Sequence, residues 1–383
     1  MKKLLLNLAI LSCTFNVQAD NSFAEKYLND NLSIHVTNEH YAWSGNNKTS
    51  GWQNVTPITA TYRTGNAELG VRTAYIFSEN TSLNRGGRVS TLSDTALSFA
   101  YSQPLPEDFT LRFNLDYNAP TGKATLSGAQ RNAVMDGSLV QQTRFGEGHN
   151  VNPGFVLTKA FGQNASVGVG LSHTIRGSYD PNGDVLNDRL DPGDETRASL
   201  QGQYGTQNWL VAGGLIYTRS GTTEVNHQKY FRKGDRFDVN LSSFYVLPYE
   251  QKISGSFRYG VQTPDKYVNS ISGNLEKESR NVNGDNLYLS LEYAKTFLTK
   301  HTIKVLADWM RVDKNSYDQF SGLYYAGREK WQVGLGYDYQ FDPKKHFYFI
   351  AKNMEMRDKA TPITLVDTKY SGWTISAGLD WRF

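Results

Sequence analysis

The sequence predicts an all-β chain folded as a transmembrane antiparallel up-and-down barrel of about sixteen strands, with fourteen as the nearest other count. Three observations carry this expectation. Apolar and polar residues alternate in segments about ten residues long, the length a tilted strand needs to cross a bilayer. The connections between these segments alternate between short and long, as the two ends of such a barrel require. Aromatic residues, 49 of 383, gather towards segment ends, where amphipathic rings favour the two boundaries between lipid and water. A sandwich or propeller would alternate equally well, but it gives no reason for that placement of Trp209, Tyr245, Trp331, Phe347, Trp373 and Trp381.

The first nineteen residues, MKKLLLNLAILSCTFNVQA, have the three parts of a secretory leader. Lys2 and Lys3 form a basic start, an apolar stretch follows, and Val17-Gln18-Ala19 supplies the small residues of a cleavage site. The expected organisation is therefore a leader over 1–19 and one barrel domain over 20–383. The leader holds two lysines and no acid, so its removal takes the formal charge from +3 to +1. So balanced a chain implies no nucleic-acid partner. Cys13, the only cysteine, lies in the leader. Its surroundings loosely match a lipoprotein cleavage box, which stays open beside the cut after Ala19; on the latter cut no thiol or disulfide chemistry remains. A short helical turn is expected within 21–31.

In order, the alternating segments are Leu32–Trp43, Trp52–Arg63, Ala67–Phe77, Thr95–Gln103, Phe109–Tyr117, Gly154–Phe161, Ala165–Arg176 and Thr196–Tyr204. They continue as Asn208–Arg219, Arg236–Leu247, Lys252–Val261, Leu287–Phe297, Thr302–Val312, Lys330–Phe341, His346–Met356 and Gly372–Phe383. Tight turns such as Thr64-Gly65-Asn66 and Gly162-Gln163-Asn164 close one end, and longer polar loops are expected at the other. An even count returns both termini to the periplasmic side.

The last segment runs to the final residue. Trp373, Ile375, Leu379, Trp381 and Phe383 share its apolar face. This ending resembles the C-terminal signature of Gram-negative outer-membrane β-barrel proteins, in which the last aromatic positions, here Trp381 and Phe383, are read by the barrel-assembly machinery. The resemblance implies an outer-membrane location, lipid as partner, and a porin-like channel; monomer and homotrimer both stay open. "NAPTGKATL", from Asn118 to Leu126, is faintly similar to outer-membrane transporters of the aromatic-degradation and fatty-acid-uptake type.

With the apolar face on lipid, the other face lines a lumen. It carries Arg63, Glu68, Arg72, Arg112 and Asp116 early in the chain, with Arg176, Arg197, Asp238, Arg258, Glu292, Lys304, Asp308, Asp338, Asp380 and Arg382 later, so both signs are present. Arginines predominate on the second to eighth strands and acids on the tenth to sixteenth, which suggests a field across the lumen. Register decides all of this, since a slip of one residue exchanges the two faces.

The longest early connection follows the fifth strand. In sixteen-strand porins, which this arrangement resembles, the third external loop lies there and folds inward as a constriction. That likeness places Lys123, Arg131, Asp136, Arg144 and Glu147 near the narrowest point. Leu126, Ala129, Ala133 and Val134 fall at helical spacing within the loop. The acidic Phe-Gly motif of general porins is missing, which favours a selective channel for small solutes over a general one. A later loop spaces Asp180, Asn182 and Asp184 as calcium ligands are spaced, yet Asp-Pro-Asn-Gly is also plain turn chemistry. No firm metal site and no cofactor are expected.

No nucleophile, base and orienting group can be assembled with confidence from the seven histidines, so no enzymatic activity is expected. His35 and His40 near Glu39 come closest. The other function class in view is a structural or surface-binding barrel, an adhesin or polymer-export component, acting through loops such as 262–285 and 317–325.

Overall fold

The computed structural model describes residues 31–82, 85–185 and 188–383. The expected leader, its cleavage site and the helical turn before the first strand lie outside the described residues. The wall consists of β1 (Leu32–Gly45), β2 (Ser50–Thr64), β3 (Ala67–Ser82), β4 in two pieces (Arg85–Leu92 and Thr95–Pro104), β5 (Phe109–Ala119), β6 (Asn150–Phe161), β7 (Ala165–Arg176) and β8 (Glu195–Gly205). It continues with β9 (Trp209–Ser220), β10 (Arg236–Leu247), β11 (Gln251–Gln262), β12 (Asn286–Phe297), β13 (His301–Val312), β14 (Arg328–Asp342), β15 (Lys345–Asp358) and β16 (Thr368–Arg382). All sixteen expected strands are present, in the expected order, and every neighbouring pair is antiparallel.

β1 pairs with β2 on one side and with β16 on the other, from Ser33 opposite Arg382 to Gly45 opposite Tyr370. The sheet therefore has no open edge, and its main-chain donors and acceptors are satisfied without water. Away from irregularities in β4 and near the end of β14, the register keeps one alternation. Leu69, Leu241, Leu335 and Trp373 belong to an exposed apolar outer face, while Glu68, Asn240, Gly336 and Thr374 beside them point inward. The chain is an outer-membrane-type barrel. Among the described residues no helix is long and apolar enough to cross a membrane, and crossing is the work of the strands.

Three features depart from the sequence expectation. The stretch around 78–94 forms more wall instead of a loop: β3 runs on to Ser82 and the chain returns as the upper piece of β4. Tyr75 faces Leu92 while Arg72 faces Ala96, so two residues of β3 oppose three of β4. This is a bulge. Ser93 N–H donates to the Ala74 carbonyl at 2.7 Å, and Ala74 N–H donates to Ser93 Oγ at 2.9 Å. The extra residue shifts the alternation by one, which hides the upper piece from a period-two reading.

Second, the expected long external connections after β1 and β3 are short, spanning 46–49 and 83–84. The strands beside them are longer instead, 15 residues in β2 and 16 in β3. Third, other external loops contribute an additional five-stranded sheet: Leu190–Asp191, Thr222–Val225, Gln228–Arg232, Lys266–Val268 and Leu275–Lys277. These pieces are two to five residues long, too short for a periodic signal.

Several periplasmic turns hold ordinary residues in the left-handed region. Between β12 and β13, Leu298 and Thr299 have φ of 50° and 60°, and Lys300 N–H donates to the Phe297 carbonyl at 3.2 Å. This is the mirror-image turn that suits a twisted hairpin, and it favours Asn and Gly. A β-branched Thr there costs about 1 kcal/mol. Thr299→Gly is therefore expected to raise the urea stability of the vesicle-folded protein by about 1 kcal/mol; an unchanged or lower midpoint at constant slope would exclude left-handed strain at this turn.

Candidate functional site: the lumen and its inward loop

The chain from Pro120 to His149 does not stay outside. It folds into the barrel and packs against the upper wall in two apolar clusters. Leu126, Ala133 and Phe145 join Val55, Ala74, Ile76 and Val89; Met135, Leu139 and Val140 join Trp43, Met354 and Met356. Their wall partners lie on inward positions of β1 to β4 and β15, so the polar lumen face gives way to apolar side chains where the loop rests. A short helix α1 (Gly128–Arg131) lies in the loop, covering part of the stretch where helical spacing was noted. Gly87 sits against it so closely that a Cβ would meet Ala133 N at 2.4 Å and Ala129 O at 2.5 Å. Only the missing side chain admits that approach.

Polar contacts fix the loop's register. Gln53 and Gln142 exchange a pair of bonds: Gln53 Nε2 donates to the Gln142 carbonyl at 2.8 Å, and Gln142 N–H donates to Gln53 Oε1 at 2.9 Å. Ser78 Oγ donates to the Ala133 carbonyl at 2.8 Å. Both Gln53 and Ser78 are fully buried, and an unpaired polar group there would be costly. At the bulge, Asp94 accepts from Gly122 N–H (2.9 Å), Glu147 N–H (2.7 Å) and Asn118 Nδ2 (2.8 Å), which ties together both ends of the loop. On the opposite side, Arg328 Nη1 meets Asp136 at 2.6 Å and Lys330 Nζ meets the Ser138 carbonyl at 2.5 Å.

The expected site residues divide into separate groups. Arg63 and Arg112 share Glu68, at 2.7 and 3.2 Å. Arg72 has Asp116 within electrostatic reach, and Asp116 accepts from Asn152 at 3.2 Å. These four positions form one patch on β2, β3 and β5. Among the loop residues, Asp136 faces Arg328, Arg144 pairs with Glu147 at 2.5 Å, and Lys123 is half-buried. Arg131 turns away towards the next external loop. Its guanidinium bonds Asn182 and lies 3.1 Å from Asp184. Asp180 accepts from Asn182 N–H at 2.9 Å in a local turn, and Asp184 accepts from Gly128 N–H at 2.5 Å. The proposed calcium spacing thus carries an arginine clamp and a turn, and among the described residues no cluster suits a metal ion.

The expected division of charge across the lumen does not hold. Cations share the later strands with the acids and pair with them: Arg236 with Asp238 at 2.8 Å, Lys304 with Asp338 at 2.5 Å and Lys352 with Asp308 at 2.6 Å. Counting one sign per strand overlooked residues such as Arg236 and Lys352.

Near the periplasmic end a cluster escaped the sequence reading because its two halves, one on β1 and the other on β15 and β16, lie more than 300 residues apart. Asp380 on β16 meets His35 Nδ1 of β1 at 2.5 Å and His346 Nδ1 of β15 at 3.3 Å. Thr37 Oγ1 lies 2.7 Å from His35 Nε2 and 2.6 Å from Tyr348 Oη. Thr, His and Asp stand here in the order of a nucleophilic relay. However, Thr37 is only 2% exposed and its hydroxyl is enclosed by the two rings, so no acyl carbon can reach it. The cluster joins the first and last strands.

No protein-family model matches the chain, and no curated protein matches it. Solved structures do. The outer-membrane channel DcaP of Acinetobacter baumannii is 10% identical with a TM-score of 0.46, covering 92% of this chain and 96% of that one. A mutant of the monoaromatic hydrocarbon channel TodX gives 10% and 0.47, covering 92% and 91%. OpdQ of Pseudomonas aeruginosa gives 12% and 0.43, covering 93% and 99%. At these scores the fold rests on the strand pairing itself.

The seat of the loop is sensitive to acid. Burial pushes the Asp136 carboxyl up, but the Arg328 guanidinium more than reverses this and holds it below its ordinary value of 3.8. The pair's contribution is complete above that value and is lost as pH falls through the lowered one. Single-channel recordings are therefore expected to show quiet current at neutral pH and flickering once the pH falls below the ordinary carboxylate range, through the lowered value of Asp136; Asp136→Asn should flicker at neutral pH. Identical noise in both proteins at both pH values would show that this ion pair does not hold the loop.

Proposed function

We propose that the chain is a passive outer-membrane channel through which selected small solutes diffuse down their gradients, and that the 119–150 loop narrows its charged lumen. The observation that supports this reading best is the inward seating of that loop on a polar-lined barrel wall. A protein that only anchored external loops would gain nothing from an internal arch positioned by Asp94 and by the buried Gln53 and Ser78. Passage is governed by desolvation at the narrowing, offset by side chains that replace lost water. Arg72, Arg112 and Asp116 are the wall groups assigned that role, with Lys123, Arg144 and Glu147 contributed by the loop. The working partners are outer-membrane lipid, a small-molecule solute and the assembly machinery that reads Trp381 and Phe383.

The five-stranded external sheet supports a second reading, a surface-binding barrel. The two separate experimentally. Refolded mature protein in a planar bilayer is expected to give steady single-channel steps, and shortening the loop between residues 121 and 148 should enlarge them severalfold. Deletion of residues 264–284 should leave the current in place. Absence of ionic current and of solute flux in all forms would overturn the channel reading and favour the surface one.

A further inference from the structure

Two sets of cations stand at the external end of the barrel, apart from the contacts that seat the loop. The first lies in the five-stranded sheet. Arg232, Lys266 and Lys277 occupy directly opposed positions on three consecutive strands. Side chains so placed share one face with Cβ atoms about 5 Å apart, and like charges there repel. Arg232 has Asp235 at 3.3 Å. Lys266 and Lys277 have no ion pair or hydrogen bond through their ammonium groups among the described residues. The nearby acids are held by neutral donors instead: Glu276 by Asn269 and Ser272, and Glu278 by Asp265 N–H and Tyr317.

The second set centres on Lys233, the residue after Arg232. It is open to solvent and stands among Arg144, Arg176, Glu195 and Asp265. Arg144 reaches this point from the inward loop and Arg176 from the end of β7. Surrounding loop atoms and those two guanidinium groups hold the Lys233 ammonium below its ordinary value. Glu195 is already engaged by Arg176 at 3.3 Å and by Arg197. Asp265 accepts from Gly234 N–H at 2.8 Å, Gln262 at 3.0 Å and Asn283 at 3.2 Å.

We propose that Lys266 and Lys277 form a capture site for small anionic solutes at the external mouth, with Lys233 as the next contact beside Arg144 and Arg176. An anionic oxygen group bridging two opposed ammonium groups would turn a repulsive pair into two charge-assisted hydrogen bonds. Carboxylates and phosphates share that chemistry. The inference deepens the channel reading by naming the charge class of its solute, and rests on that reading only for where the captured anion goes.

The test uses the full-length protein in detergent at low salt, titrated calorimetrically with succinate and, separately, with inorganic phosphate. Saturable binding of either anion is expected, weakening with added salt and falling about tenfold or more in Lys266→Gln/Lys277→Gln. Which anion binds tighter identifies the source of the charged group. Lys233→Gln should lower the anion-to-cation permeability ratio in a planar bilayer, and an unchanged ratio would remove Lys233 from the anion's path. Absence of binding by both anions, or equal affinity in the double variant, overturns the proposal. Binding without any ionic current would keep the capture site and overturn the channel reading instead.

Discussion

The structure depends on closure, the pairing of the first strand with the last. A sheet of this size with two free edges would leave a row of unpaired main-chain groups on each, which is untenable where water is excluded. β1 and β16 remove both edges together, and Asp380 reinforces the seam by reaching His35 on one side and His346 on the other. The seam runs along β16 from Tyr370 to Phe383. Phe383 N–H donates to the Leu32 carbonyl at 2.8 Å, and its ring stacks on Trp381 with centroids 5.0 Å apart. The terminal aromatic face is thus the outer surface of the seam, next to lipid, and the polar residues between those aromatics face the lumen.

Closure creates an interior, and the interior sets a second problem. A barrel of sixteen strands is too wide for its own side chains to fill, so its lumen is wet unless another part of the chain enters it. The loop after β5 enters, and its seat is apolar where it touches the wall and polar where its register must be fixed. The apolar clusters supply area without direction, while Gln53, Ser78 and Asp94 supply direction. The bulge at Ser93–Asp94 belongs to the same device: it brings Asp94 to the point where one carboxylate receives donors from both ends of the loop.

Much of the wall was legible in the sequence, because period-two alternation is a local signal repeated sixteen times and each occurrence supports the next. Inward residues such as Arg63, Arg72, Arg112 and Asp116 followed from that alternation alone. The upper piece of β4 was not legible, since one inserted residue reverses the alternation there. The members of the Asp380 cluster were placed singly, but their meeting depends on closure and on the relative stagger of β1, β15 and β16. Arg131 shows the limit from another side. Its loop was identified, yet its partner, the Asn182–Asp184 turn, belongs to a different loop whose composition suited a cation. A cation is there, and it is a guanidinium.

The pairing of lumenal charges bears on how selection works in such a barrel. An arginine held by a carboxylate on the same strand or the next presents less field to a passing solute than its formal charge suggests, and Arg236 and Arg258 around Asp238 or Lys352 on Asp308 are so held. These pairs shape the wall more than they screen ions. In the proposed channel, discrimination by charge then falls to groups outside these pairs, the Arg72, Arg112 and Asp116 patch of the wall and the lysines of the external loops. In the proposed reading, recognition at the mouth followed by passage along a wall whose charges are largely paired would avoid a deep binding well in the lumen. That ordering suits conduction, because a solute must enter readily and still be able to leave.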